Sequence, residues 1–456
     1  MSDSAPESNA DHRDRSIKLA VVTSLLSKSG TIILRLVSIP IAIRILGLDL
    51  FGVYTAITMA VGLIDMLHIG IGPALTRELS KAVAAGDRAR EKTVFATSIL
   101  ISTALTLAAG LIVAILLLNV PIPALFGAEF EPVADVMYTA IWVGLIILSI
   151  EMICIPFEMA RDGYLETRFS NAWGAAGNIV GAVLLVSGIW FFRSIEFLLI
   201  TVNGSIAFAK LGNAIHLLIQ RPYLFPRFSL FRKTLVPSLA LNSARFSVTY
   251  IMAAAVEYNL MSFLIGRAAG PAAVGIFNVM ITVHFSLTGL IVMFTRPIWP
   301  ALMDACERGD VPWIKKTSNR LRLCGLAFVI ASGLGLVILG PYILPNWAGE
   351  EFKTAVTGFE MNRVALGAFS LYFAAHLWRH INQTLALGVH QINPVVFTVV
   401  AEGLFLTGLT WLALVNIGRI DAIYLAMTAS ICLFSAWMLP LIFKKGRDRL
   451  AQSTEA

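Results

Sequence analysis

Five side chains in the stretch 17–46 could hold an anion. Ser24, Lys28, Thr31, Arg35 and Ser38 follow one another at steps of four, three, four and three. On a helix that spacing puts all five on one face. The stretch is otherwise apolar, and a polar stripe with two cations along an apolar helix has to face water or a polar ligand. Arginine suits an oxyanion because its planar fork takes oxygens in pairs and never deprotonates. The competing reading is structural, with Lys28 or Arg35 paired to an acid on a neighbouring helix such as Asp65. Ser238, Asn242, Arg245 and Thr249 form a second such face; Arg245 either meets the same anion or snorkels to the nearest interface. His376, Arg379, His380 and Gln383 stand at i, i+3, i+4 and i+7 and make a third. His376 and His380 have the spacing of a metal pair, but no nearby Glu or Cys completes a site, so no metal is expected. Glu151 and Glu158, seven apart, share a face of their own. They read as a proton or cation site, as a salt-bridge gate, or, for Glu158, as an interfacial carboxylate. Asp65 joins them as an ion-coupling candidate, and Lys210, Glu257 and Glu402 are further charges whose partners the sequence does not place.

The elements that carry these residues are set by composition. The chain has 456 residues, 57% hydrophobic and 14% charged, with a mean hydropathy of +0.78. A soluble protein carries roughly 25% charged residues. An ionisable group at mid-membrane costs roughly 2.5–3.5 kcal/mol on insertion scales, so each one above needs a reason. The net charge of +7 resides in particular loops, which speaks against nucleic acid. Four cysteines without CxxC spacing make no disulfide framework. No GxxxxGK[ST] is present, so no ATP site is expected, and any driven process would draw on a gradient or on substrate turnover. No catalytic constellation and no cofactor motif stands out.

Twelve apolar spans of about 20 residues or more fit the chain. They run 17–46, 50–76, 93–120, 133–160, 169–192, 195–220, 234–266, 271–303, 317–345, 354–388, 391–416 and 421–443. The expected fold class is all-α, a polytopic membrane protein. The expected organisation is a cytosolic tail (1–16), an N-terminal lobe (17–220), a cytosolic linker (221–233), a C-terminal lobe (234–445) and a second tail (446–456). Twenty-three lysines and arginines fall in one set of loops and tails, and five in the other. The positive-inside rule then puts both termini in the cytoplasm.

The chain also repeats itself. Adding 223 carries Gly47 to Gly270, Gly52 to Gly275, Tyr54 to Phe277, Gly86 to Gly309, Asp87 to Asp310 and Lys92 to Lys315. A duplicated membrane unit of this kind is common among transporters. The first copy reads Leu46-Gly47-Leu48-Asp49-Leu50-Phe51-Gly52-Val53-Tyr54, then Asp65 to Gly72, then Pro73-Ala74-Leu75-Thr76-Arg77-Glu78-Leu79-Ser80. This resembles the polysaccharide-export (O-antigen type) flippases of the multidrug/oligosaccharidyl-lipid/polysaccharide flippase superfamily. The resemblance implies two pseudo-symmetric six-helix bundles around a central cavity. It also implies a substrate: undecaprenyl-diphosphate-linked sugar units, moved from the inner to the outer leaflet of the cytoplasmic membrane. A polymerase and a chain-length regulator are partner candidates on the same footing, beside the membrane lipids. The family has no single invariant catalytic motif. The headgroup ligands expected here, Lys28, Arg35, Arg245, Arg379 and His376, therefore rest on this sequence. Two other readings stand beside this one: a cation-coupled multidrug exporter of the same superfamily, and a membrane-embedded polymerase or ligase. The cationic faces argue against the first, and the short outer loops against the second.

Overall fold

The computed structural model describes the backbone of residues 9–65, 71–237, 239, 252–349, 352 and 356–455. Within those ranges the side chains of 9–29, 31, 32, 35, 65, 71, 73, 252–255, 293, 294, 296, 297, 299–301, 303, 304, 307 and 453–455 are outside the described set. The described chain is all-helical, with no strand among the described residues. Nine stretches among the described residues are long and apolar enough to cross a membrane. The sequence count of twelve is approximate. Two of the nine, Leu36–Ile64 and Val256–Val292, run past a break where the sequence suggests separate spans. The Arg363–Gly388 helix is as long as a span, but carries His376, Arg379, His380, Asn382 and Gln383. Large apolar side chains point outward in numbers that water would penalise: Leu107, Leu111, Leu118, Leu323, Leu334, Phe191 and Phe208 are all more than half exposed. This is a multi-pass membrane protein.

The repeat is visible in backbone geometry. Gly47 interrupts the Asn9–Asp65 helix at φ 83°, ψ 166°, and Gly270 interrupts the Met261–Glu307 helix at φ 81°, ψ 179°. Side chains rarely tolerate that positive φ, so glycine is what the break requires. Gly86 and Gly309 match likewise, at φ 67° and 68°. The next residue caps the following helix in both copies. Asp87 accepts from the Arg90 N–H and Asp310 from the Trp313 N–H, which satisfies one of the open donors of a helix start.

The chain divides into two compact units. The first comprises Met1–Leu46, Val61–Leu125 and Val133–Ser247; the second comprises Gly47–Ala60, Phe126–Pro132 and Val248–Ala456. Two short segments from the first half of the sequence thus belong to the second unit.

In the first unit, Gly177 and Gly181 of the Thr167–Phe192 helix bring it against the chain at 201–209. A Cβ on Gly177 would lie 2.9 Å from the Ser205 carbonyl oxygen, and one on Gly181 2.6 Å from that of Thr201. This is the close approach that small-xxx-small spacing permits. The Pro73–Ser80 stretch packs on the Ala134–Gly163 helix: Thr76 Oγ1 donates to the Met159 carbonyl at 3.0 Å and Ser80 Oγ to that of Gly163 at 3.1 Å. In the second unit the two copies of the Gly-rich motif pack on each other. Gly52 lies directly against the backbone of Pro271, and Gly275 lies against Leu48 and Phe51.

Candidate functional site

The second unit holds a buried ionic cluster. Its centre is Arg379, whose Nη2 binds Glu257 Oε2 and whose Nη1 binds Glu402 Oε1. The side chains of Arg379, Glu257 and Glu402 are 5%, 2% and 2% exposed. The free oxygens are also occupied. Glu257 Oε1 accepts from the Tyr372 hydroxyl at 2.7 Å and stands 3.0 Å from His376 Nδ1. Glu402 Oε2 accepts from the Ser435 N–H at 3.3 Å. A desolvated carboxylate is tolerable only under such complete pairing.

Three elements meet at this point. Arg379 and His376 come from the Arg363–Gly388 helix, and Glu402 comes from the Ile392–Asn416 helix. Glu257 lies on Met252–Leu260, which is wound as a π-helix, a widening of the turn that recurs at functional sites. Histidines and tyrosines surround the cluster. The ring centroid of His284 is 4.3 Å from that of His376, and its Nε2 lies 2.9 Å from the Tyr258 hydroxyl. His380 Nε2 lies 3.1 Å from Thr295 Oγ1.

The first unit holds a more open cluster. Lys210 Nζ lies 2.9 Å from Glu151 and 3.9 Å from Glu158, and all three side chains are about a fifth to a quarter exposed. The two carboxylates that share a face in the sequence thus share one cation.

A third cluster lies at the end that the charge bias assigns to the cytoplasm. Glu166 binds Arg161 at 2.8 Å and Arg221 at 3.0 and 2.8 Å. Burial pushes the Glu166 carboxyl up, but the hydrogen bonds from Arg221 and Arg161 outweigh it and hold it below the ordinary carboxylate range. The Arg221 guanidinium lies 4.0 Å over the Tyr164 ring. Tyr164 and Tyr223 both donate to Glu91 Oε2, at 2.8 and 3.0 Å, and the Arg232 N–H donates to Thr97. The 221–233 segment is therefore pinned to the first unit at three points.

Of the expected headgroup ligands, Arg379 and His376 are brought together, with their polar atoms turned to Glu257. Arg245 lies outside the described residues, as do the side chains of Lys28, Arg35 and Asp65. Glu151 and Glu158 both lie beside Lys210. The sequence left Glu257, Glu402 and Lys210 without partners. The signal was the opposite sign of charge at similar depth, but Glu257 is 122 residues from Arg379 and Lys210 is 59 from Glu151, so no local pattern joins them.

The fold is that of transporters of the MOP superfamily. A MATE-family multidrug resistance transporter of that superfamily, solved inward-facing, matches with a TM-score of 0.76 at 12% identity, over 95% of this chain and 99% of that one. A MOP-superfamily transporter from Pyrococcus furiosus, described by the reverse polarity of its binding pocket, matches at 0.66 and 13% identity, over 96% of each chain. The chain belongs to the polysaccharide biosynthesis protein family, whose model matches residues 20–305. A candidate O-antigen export protein of Yersinia pseudotuberculosis is 21% identical, covering 93% of this chain and 95% of its own. A candidate O-antigen transporter of Salmonella typhi is also 21% identical, covering 95% and 97%.

Proposed function

We propose that this chain is a flippase, not an enzyme. It moves undecaprenyl-diphosphate-linked oligosaccharide units from the inner to the outer leaflet of the cytoplasmic membrane by alternating access, for cell-surface polysaccharide. Membership of the polysaccharide biosynthesis family carries this reading, together with the transporter fold and the names of the relatives. The chemistry agrees. A diphosphate cannot enter hydrocarbon bare, because desolvating an isolated ion costs many kcal/mol. Cations along a wet path replace its hydration while the prenyl tail stays in lipid. Lys28, Arg35 and Arg245 are the proposed ligands. Arg379 and His376 join them only in a state where Glu257 and Glu402 release them. The charge bias supports cytoplasmic termini. Glu151 and Glu158, around Lys210, are proposed to couple transport to a proton or cation gradient, with Asp65 as a further candidate. A polymerase and a chain-length regulator are proposed partners.

The test is glycan export by a deletion strain complemented with each variant, with membrane abundance measured alongside. Arg35→Ala abolishes export at normal abundance, and Arg35→Lys keeps part of it because charge survives and the fork is lost. Glu151→Gln with Glu158→Gln lowers export and removes its sensitivity to dissipated gradients. Full export by Arg35→Ala, or its rescue by neutralising Asp65, makes Arg35 a structural partner and refutes the ligand role. Unchanged export and gradient sensitivity in the Glu151/Glu158 variant refutes the coupling role.

A further inference from the structure

Two helices of the first unit, Thr167–Phe192 and Ser205–Gln220, leave a groove between them. Phe169, Trp173 and Ala176 line it on one side, and Ile215, His216 and Ile219 on the other. Gly212 forms part of its floor, since an added Cβ there would lie 2.5 Å from the Trp173 ring. The groove measures about 660 Å³, within the roughly 300–1,000 Å³ of ligand pockets. Ile215 and Ile219 are 51% and 71% exposed, so the apolar wall is open. Both helices belong to stretches long and apolar enough to span a membrane.

Polar groups stand at one end of this groove. Arg168, in the first turn of its helix, is exposed, and its guanidinium lies 4.9 Å over the Phe169 ring. The carboxylates nearby are engaged: Glu166 by Arg161 and Arg221, Asp162 by the Thr167 hydroxyl at 2.7 Å. His216 stands one turn in from the end of the other helix, about 6 Å deeper, with its ring centroid 5.2 Å from that of Phe169. The Trp173 indole N–H donates to His216 Nδ1 at 3.3 Å. Nδ1 is therefore an acceptor, and the neutral imidazole carries its proton on Nε2. No described residue accepts from that N–H. A donor in apolar surroundings is costly until it finds an acceptor. Beyond His216 the lining is hydrocarbon and the Trp173 ring.

We propose that this groove binds one anionic phospholipid. The phosphate meets Arg168, an ester carbonyl accepts from His216 Nε2–H, and one acyl chain lies along Trp173, Ala176 and Ile215. Cation, neutral donor and hydrocarbon follow one another along the groove as phosphate, ester and chain do along the lipid. The length agrees. Phe169 to Ala176 rises about 10 Å, inside the roughly 15 Å of hydrocarbon in one leaflet, whereas a long prenyl chain would outrun it. A zwitterionic headgroup would bring its own cation beside Arg168. The charge bias assigns this end to the cytoplasm, where the leaflet surface is negative. The bound lipid bridges the two helices, and its binding stands apart from the flippase reading.

The test is tryptophan quenching by brominated lipid, with the full chain in nanodiscs of phosphatidylcholine and phosphatidylglycerol. Nine tryptophans are present, so the Trp173 signal is taken as the difference between wild type and Trp173→Phe. Brominating one lipid at a time gives the preference of the site for phosphatidylglycerol over phosphatidylcholine. The expected preference is about fivefold, the worth of one arginine near a membrane surface. Arg168→Gln should bring it close to one. Ala176→Leu fills the groove with the charge untouched and should also remove it. Arg193→Gln, at the far end of the same helix, should leave it unchanged. A wild type without preference overturns the proposal, and so does a preference that either Arg168→Gln or Ala176→Leu leaves in place. Unbrominated polyprenyl phosphate is the competitor. Should it displace brominated phosphatidylglycerol better than unbrominated phosphatidylglycerol does at the same mole fraction, the site belongs to a prenyl lipid and the assignment falls. No readout involves glycan export, so failure here is separable from failure of the flippase reading.

Discussion

Removing Arg379 tests the energetic account of the second unit most directly. Its guanidinium is the shared partner of two carboxylates that are each 2% exposed. Arg379→Gln keeps a side chain able to donate but strands both acids. Breaking a buried pair by deleting one partner costs about 3–5 kcal/mol. That is about two to four powers of ten in the folded-to-unfolded ratio, against a total stability of roughly 5–15 kcal/mol for typical domains. Membrane abundance should fall sharply, and the thermal midpoint of the purified protein should drop. The triple variant Glu257→Gln, Arg379→Gln, Glu402→Gln removes the stranded charges and should regain much of the loss, because neutral replacement of a whole buried cluster is often close to neutral. Arg419→Gln is the control. Arg419 pairs with Asp421 at 2.9 Å but is 53% exposed, and a surface pair contributes little. The assay is a thermal melt in detergent with abundance measured by immunoblot. A wild-type midpoint and abundance for Arg379→Gln would falsify the account. So would a triple variant as unstable as the single one, since the cost would then lie in lost packing and not in stranded charge.

Gly181→Leu should cost about 1–3 kcal/mol by overpacking against the Thr201 carbonyl, whereas Gly110→Ala, with nothing within 4 Å of the added carbon among the described residues, should leave the melt unchanged or slightly raised. Equal melts for the two variants count against the close helix contact. Reporter fusions active only outside the cytosol should be silent at Ala85 and active at Gly127, and the reverse pattern overturns the charge-derived orientation. Glu166 should make the pinning of the 221–233 segment acid-sensitive. Its carboxyl is held below its ordinary range in the fold, so its contribution is complete above the ordinary value and is lost as pH falls through the depressed one. Trypsin cleavage at Arg227, measured at each pH and normalised to an unstructured peptide cut under the same conditions, should accelerate on acidification in wild type. Glu166→Gln should be cut fast at every pH, and a slow, pH-independent pattern in that variant refutes the role of Glu166.

Several features were legible in the sequence because they are local. The glycines at 47 and 270 break their helices at nearly the same φ and ψ, and the aspartates at 87 and 310 cap the next helix in both copies. Those are properties of a residue and its nearest neighbours, and a repeated spacing exposes them. Helical periodicity likewise put His376 and Arg379 on one face, and Glu151 with Glu158 on another. What periodicity cannot say is which neighbour that face meets. Arg379 looked like a ligand for an external anion because its acids lie on two other helices. Only their packing brings Glu257 and Glu402 within hydrogen-bond reach of one guanidinium. Lys210 found Glu151 by the same route. The Gly-rich motif was recognisable twice, yet its packing on its own copy, Gly52 on Pro271 and Gly275 on Leu48 and Phe51, appears only in three dimensions. Apolar helices, the breaks between them and the faces that carry charge can be read along the chain, since these follow from residue type and a fixed rise per residue. Which charges are partners is settled by packing in space, because a buried ion is satisfied by whatever lies nearest, however distant along the chain.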